Sequence, residues 1–171
     1  MWERIKRVVR HRWAGESSRV VGPDMLKRFT QQVAKSEQQH SGEVRICIEA
    51  ALPNSYLLRA GSMRVITRQR ALAQFGKLRV WDTENNNGVL IYLLLADRAI
   101  ELVADRGLNR LVTPQDWQSM VQSLGSAIHS GHIEAGLVQA IDAVSAVLVR
   151  HFPLQAGSVR PNELPDQPNV Q

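Results

Sequence analysis

The sequence predicts an α/β fold: a three-layer α/β/α sandwich around a mixed sheet of four to five strands. Three observations carry that expectation. The run 89–95 (VLIYLLL) is apolar on both of its faces, the pattern of a strand covered by helices on either side of its sheet. The segments around it read alternately as helix and strand. A chain of 171 residues, 44% hydrophobic and 22% charged, is long enough for one domain with a sizeable core and short for two.

Residues 1–13 (MWERIKRVVRHRW) place Trp2, Ile5, Val8 and Val9 at helical spacing, with Trp13 continuing the stripe and cations over most of the rest. The formal net charge is +5, and residues 1–20 hold six basic residues against two acidic ones, so the remainder is close to neutral. A pI near 10 invites a nucleic-acid reading. An excess confined to one terminal segment argues against a basic groove across the domain. The stripe fits an anionic membrane surface or a membrane protein. It equally fits a helix that docks on its own domain, and nucleic acid remains the third alternative.

The domain body is expected over 22–151, after a basic amphipathic segment at 1–21. Pro23 and Asp24 open a helix to about His40, with Leu26, Phe29 and Val33 on its buried face. Ser41-Gly42 stops it. Residues 43–50 then alternate, with Val44, Ile46 and Ile48 on one face and Arg45, Cys47 and Glu49 on the other, a strand pattern. A second helix is expected over 57–76, with Val65, Ile66, Leu72 and Phe75 inward. A short strand at 78–81, a polar loop at 82–88 and the apolar strand 89–95 follow. Ala96-Asp97-Arg98 turns the chain into a hairpin partner at 99–104. Thr113-Pro114-Gln115-Asp116 caps a helix whose apolar face runs Trp117, Met120, Val121, Leu124 and Ile128. Gly131 separates it from a last helix near His132, lined by Ile133, Leu137, Ala140, Ile141, Val144, Val147 and Leu148. Residues 152–171 hold four prolines and few large apolar side chains, so a disordered tail is expected.

Several chemistries are not encoded. No apolar run approaches the roughly 18–20 residues that span a bilayer, and residues 1–13 lack the apolar stretch of a secretory signal. The lone cysteine, Cys47, sits among strand apolars and reads as a buried thiol of a reducing compartment. His129 and His132 have no partners at zinc spacing. There is no Gly-x-Ser-x-Gly elbow, Walker loop or dinucleotide fingerprint. Trp81 and Trp117 read as core. No catalytic nucleophile can be named.

One constellation follows from hairpin geometry. If 89–95 and 99–104 pair antiparallel, the loop 82–87 meets 105–107. Asp82, Glu84, Asn85, Asn86, Asn87 and Asp105 then form a cluster of hard oxygen donors suited to calcium or magnesium. Asp82, Glu84, Asn86 and Asp105 are the candidate metal ligands. Asn87 and Arg106 are candidates for contact with a bound ligand, Arg106 as an anion partner. An asparagine-rich turn with only backbone reasons for its composition is the competing reading.

The ordered set Ser41-Gly42-Glu43-Val44, Asn86-Asn87-Gly88-Val89-Leu90, Ala96-Asp97-Arg98 and Ala104-Asp105-Arg106-Gly107-Leu108 resembles the TPM domain, over about residues 22–150. That family includes the thylakoid lumenal acid phosphatase, photosystem II repair proteins and a levamisole-receptor modulator. The resemblance implies calcium binding at the Asn-Gly end of the sheet. It departs from the family where Asn86 stands in a position that relatives often fill with aspartate. Most relatives also carry a signal peptide or transmembrane helix, so this chain is similar to a short bacterial branch. The expected function is a non-catalytic interaction or assembly module, cytoplasmic and peripheral on the inner membrane, with a weak divalent-cation site. An acid-phosphatase-like enzyme, implied only by the resemblance, and nucleic-acid binding through the basic start are the alternatives.

Overall fold

The computed structural model describes residues 7–11, 20–155 and 161–171. Pro23 in the first turn and Asp24 near the positive helix end start α1 (Pro23–Glu37), which buries Phe29 and Val33. The chain then enters β1 (Val44–Glu49), α2 (Asn54–Leu57), α3 (Met63–Lys77), β2 (Val89–Leu94) and β3 (Ala99–Ala104). A short α4 (Arg106–Asn109) leads to α5 (Pro114–His129), α6 (Ile133–His151) and β4 (Asn169–Val170). Thr113 and Asp116 form the expected capping box at the start of α5.

The sheet is mixed and four-stranded, in the order β3-β2-β1-β4. β1 runs parallel to both β2 and β4. β2 and β3 form the expected antiparallel hairpin, from Val89 opposite Ala104 to Leu94 opposite Ala99. Alternation divides the core into two clusters. Val44, Ile46, Ile48, Val89, Ile91 and Leu93 pack with buried residues of α1, α5 and α6. Cys47, Leu90, Tyr92, Leu94 and Val103 pack with Leu57 of α2 and with Ile66 and Ala71 of α3. Every residue of β2 is buried. The three-layer sandwich read from the run 89–95 is therefore the observed architecture.

Four expectations are corrected. The helix expected at 57–76 is divided, because Gly61 adopts a φ of 118° and the Ser62 side chain caps a fresh helix through the Val65 amide. Its inner face is Ile66, Thr67, Ala71 and Gln74, whereas Val65 and Leu72 are each 49% exposed. Residues 78–81 make a turn in place of a strand: α3 runs on to Lys77, and Arg79 takes a left-handed φ of 55°. That turn sends Val80 into the core and leaves Trp81 48% exposed, so Trp81 is not the core residue expected. Trp117 is buried as read.

The fourth strand comes from the C-terminal segment instead. Within the expected disordered tail, Phe152 accepts the Ser41 amide through its carbonyl and Pro153 bridges His40. Residues 161–171 lie along β1, with Leu164 buried in the second cluster. Their attachment is mainly through main-chain groups, so composition alone hides it.

At the other end, residues 7–11 are helical and lie on the domain. Val8 packs against the second cluster. Arg7 donates to the Gly61 carbonyl at 2.6 Å, and Arg10 pairs with Asp97. His11, also buried, lies with Nε2 2.9 Å from Asp97 Oδ2 and accepts the Leu52 amide through Nδ1 at 3.0 Å. Among the alternatives for the basic start, these five residues take the self-docking one. Trp2, Ile5 and Trp13 lie outside the described residues. Among the described residues no helix is long and apolar enough to cross a membrane.

Candidate functional site

The loop before β2 and the start of α4 are held together by the hairpin ladder carried one step beyond its strands. The Asp105 amide donates to the Gly88 carbonyl at 2.9 Å, and the Gly107 amide donates to the Asn86 carbonyl at 2.9 Å. Both glycines are required by close approach. A Cβ on Gly88 would stand 2.1 Å from the Val80 carbonyl oxygen, and one on Gly107 would stand 2.5 Å from that of Asn86. Asn86 itself takes a φ of 51°, a conformation asparagine tolerates better than most side chains. Thr83 organises the loop from inside: its carbonyl accepts the Asn86 amide at 3.1 Å and its hydroxyl accepts the Asn87 amide at 3.1 Å.

The structure brings together part of the expected oxygen cluster. Asn87 is fully buried, with its Nδ2 3.4 Å from the Ser41 hydroxyl, and its Oδ1 has no hydrogen-bond partner. Asp105 caps α4 through Oδ1, which accepts the Arg106 amide at 2.7 Å, while its buried Oδ2 also has no partner. Asn86 directs Oδ1 at Arg106 Nε, 2.7 Å away. Of the two asparagines, Asn86, expected as a metal ligand, spends its Oδ1 on Arg106, while Asn87, expected to contact a bound ligand, has the oxygen without a partner. Arg106, expected to hold an anion, spends its Nε on that contact and is otherwise exposed.

Asp82 and Glu84 do not join the corner. Asp82 is exposed and ion-paired with Arg79 at the far side of the turn. Glu84 is exposed, and its amide donates to Glu163 Oε2 at 2.9 Å. Ser41 and Thr83 were missed by sequence reasoning. Parallel pairing of β1 with β2 sets Val44 opposite Val89, which carries Ser41 toward Asn87. Only that pairing, which no local pattern states, would have found it. Among the described residues no three His, Cys, Asp or Glu side chains are grouped to hold a metal.

Other reactive groups are structural. Cys47 is buried, and burial, with Glu49 nearby, pushes its thiol up to about 12, far from nucleophilic readiness. His129 bonds the Gly125 carbonyl of its own helix through Nδ1 at 2.8 Å.

Two solved structures share the fold. The BA42 protein of the psychrophilic bacterium Bizionia argentinensis superposes with a TM-score of 0.71 at 23% identity, covering 88% of this chain and 95% of BA42. The N-terminal domain of a P. gingivalis protein gives a TM-score of 0.54 at 18% identity, covering 84% of this chain and 85% of that one. A search of curated proteins gave no match. The profile of the TPM domain matches residues 17–147, spanning α1 through most of α6 with the Asn87–Asp105 corner inside it. This chain belongs to the TPM domain family.

Proposed function

We propose that this TPM domain is a non-catalytic binding module whose ligand is a divalent cation, held between the 83–87 loop and the start of α4. One observation carries the reading: Asn87 Oδ1 and Asp105 Oδ2 are buried acceptors without a donor. Leaving such an acceptor unsatisfied costs about 1–3 kcal/mol each, and a cation offsets that cost. A carboxylate oxygen and an amide oxygen are hard donors suited to calcium or magnesium, with water completing the shell. One carboxylate supports only weak binding, in roughly the 10⁻⁴–10⁻³ M class.

The test is melting temperature against calcium and magnesium concentration. At ten times Kd a native-state ligand adds about 1.4 kcal/mol, or roughly 3–6 °C for a chain of this size. Asp105→Ala and Asn87→Ala should each remove the gain, Asp82→Ala should leave it intact, and Asn87→Asp should tighten binding. No shift in either the wild type or Asn87→Asp would sink the proposal. Hydrolysis of a phosphomonoester that Asp105→Ala abolishes would favour the enzyme reading instead. The membrane-facing part of the role rests on the stripe at 1–13, where Val9 is half-exposed on the docked helix. Sedimentation with anionic vesicles, lost on deleting residues 1–6, tests it.

A further inference from the structure

Strand β1 carries a charged, buried second face, which a core strand does not normally do. Its alternate residues Glu43, Arg45, Cys47 and Glu49 are all buried, and each of the first three meets the segment 161–171. The Glu43 carboxylate accepts the amides of Glu163 and Leu164, each at 3.2 Å. Arg45 Nη1 donates to the Pro165 carbonyl at 2.6 Å and to that of Gln167. Beyond them Asn169 and Val170 pair in parallel with Cys47 and Ile48. The Gln171 amide donates to the Ile48 carbonyl at 2.9 Å, and its carbonyl accepts the Ala50 amide at 3.0 Å. Leu164 is the one apolar side chain of the segment set in the core cluster beneath.

These contacts read a main chain more than a sequence. Two charged side chains address two amides and two carbonyls, and a two-residue ladder completes the grip. The segment lies outside residues 17–147, whereas the β1 that receives it lies inside.

We propose that the outer edge of β1, with Glu43 and Arg45, is an acceptor groove for extended peptides. Residues 161–171 fill it in cis, and an extended segment of a partner protein, apolar at the position of Leu164, fills it in trans by strand addition. Exchange with a second copy trades identical contacts for a loss of translational freedom and so gains nothing. A partner strand that continues the ladder from Cys47 toward Arg45 gains main-chain bonds that β4, pairing at two positions, does not make.

A protease site placed within residues 156–160 allows the strap to be cut in the folded full-length chain. The cut protein should keep its circular dichroism spectrum and take up a labelled peptide of residues 161–171. Arg45→Ala in the protein, or Leu164→Asp in the peptide, should weaken uptake at least tenfold. In the uncut chain, the amides of Leu164 and Gln171 should exchange hydrogen at least about a hundredfold faster than those of Ile91 and Leu93, reporting local release without global unfolding. A cut chain that unfolds as the strap leaves, or that refuses the peptide in large excess, overturns the proposal. So does strap exchange as slow as that of β2. A concentration-dependent dimer abolished by Arg45→Ala would make the occupant a second copy and overturn the assignment to a partner.

Discussion

Removing the Glu49 carboxylate should be among the most destabilising single changes in the second face of the sheet. Glu49 is 2% exposed and accepts from Arg70 Nε at 2.9 Å, Gln74 Nε2 at 2.8 Å and the Tyr92 hydroxyl at 2.5 Å. It thereby ties β1 to β2 and α3, and Gln74 passes the connection to Gln171 at 2.9 Å. The carboxylate raises the already high pKa of Arg70 further, chiefly through their hydrogen bond, so the guanidinium is a fixed cation. Glu49→Ala leaves that cation, an amide and a phenol without their acceptor. Breaking a buried pair from one side costs about 3–5 kcal/mol, roughly 6–20 °C in melting temperature for a chain of this size. Tyr92→Phe removes one charge-assisted bond and should cost about 1.5–3 kcal/mol. Because both changes delete the same contact, the double variant should cost less than their sum. Urea denaturation of the four proteins measures this, with Glu134→Ala, whose carboxylate meets Arg28 in an exposed pair, as the surface control. A Glu49→Ala variant no less stable than Glu134→Ala would refute the account of Glu49 as the hub of this face.

Leu93 belongs to the first core cluster and Leu94 to the second, both fully buried. Leu93→Asp and Leu94→Asp should each unfold the domain in a thermal melt, since either buries an unpaired charge; tolerance of one would mean that its face is open. Burial, and then the charge of Glu49, raise the pKa of the Tyr92 phenol. A phenol whose folded pKa lies above its unfolded value contributes stability that is fully present below the unfolded value, about 10, and is lost as the pH rises beyond it. Denaturation midpoints should therefore fall above roughly pH 10 in the wild type. Tyr92→Phe should flatten that limb, and an unchanged slope would contradict the burial argument.

The elements legible in the sequence were those whose periodicity reports their own surroundings. Strand β2, apolar on both faces, announced two covering layers, and Thr113–Asp116 announced its helix by a side-chain cap. The approach of Asn86 and Gly88 to Asp105 and Gly107 followed from antiparallel pairing alone. What stayed hidden depends on long-range partners. Whether Asn86 or Asn87 offers its oxygen is decided by Arg106, twenty residues away. The phase of α3 is decided by Gln74, a polar residue turned inward because Glu49 and Gln171 await it there.

The most informative error is the C-terminal segment. Four prolines and a shortage of large apolar residues make residues 152–171 look unable to fold, and by themselves they bury little. Their docking is instead written into β1, where Glu43, Arg45 and Glu49 alternate with Val44, Ile46 and Ile48 in a strand flanked by others on both sides. Charged residues on the inner face of a covered strand need hydrogen-bond partners, and main-chain amides and carbonyls meet that need without any side-chain pattern of their own. The alternation at 43–49 therefore encoded an extended cover, although not its address. A chain rich in proline supplies that cover well, since proline keeps it extended and removes donors the groove has no acceptor for.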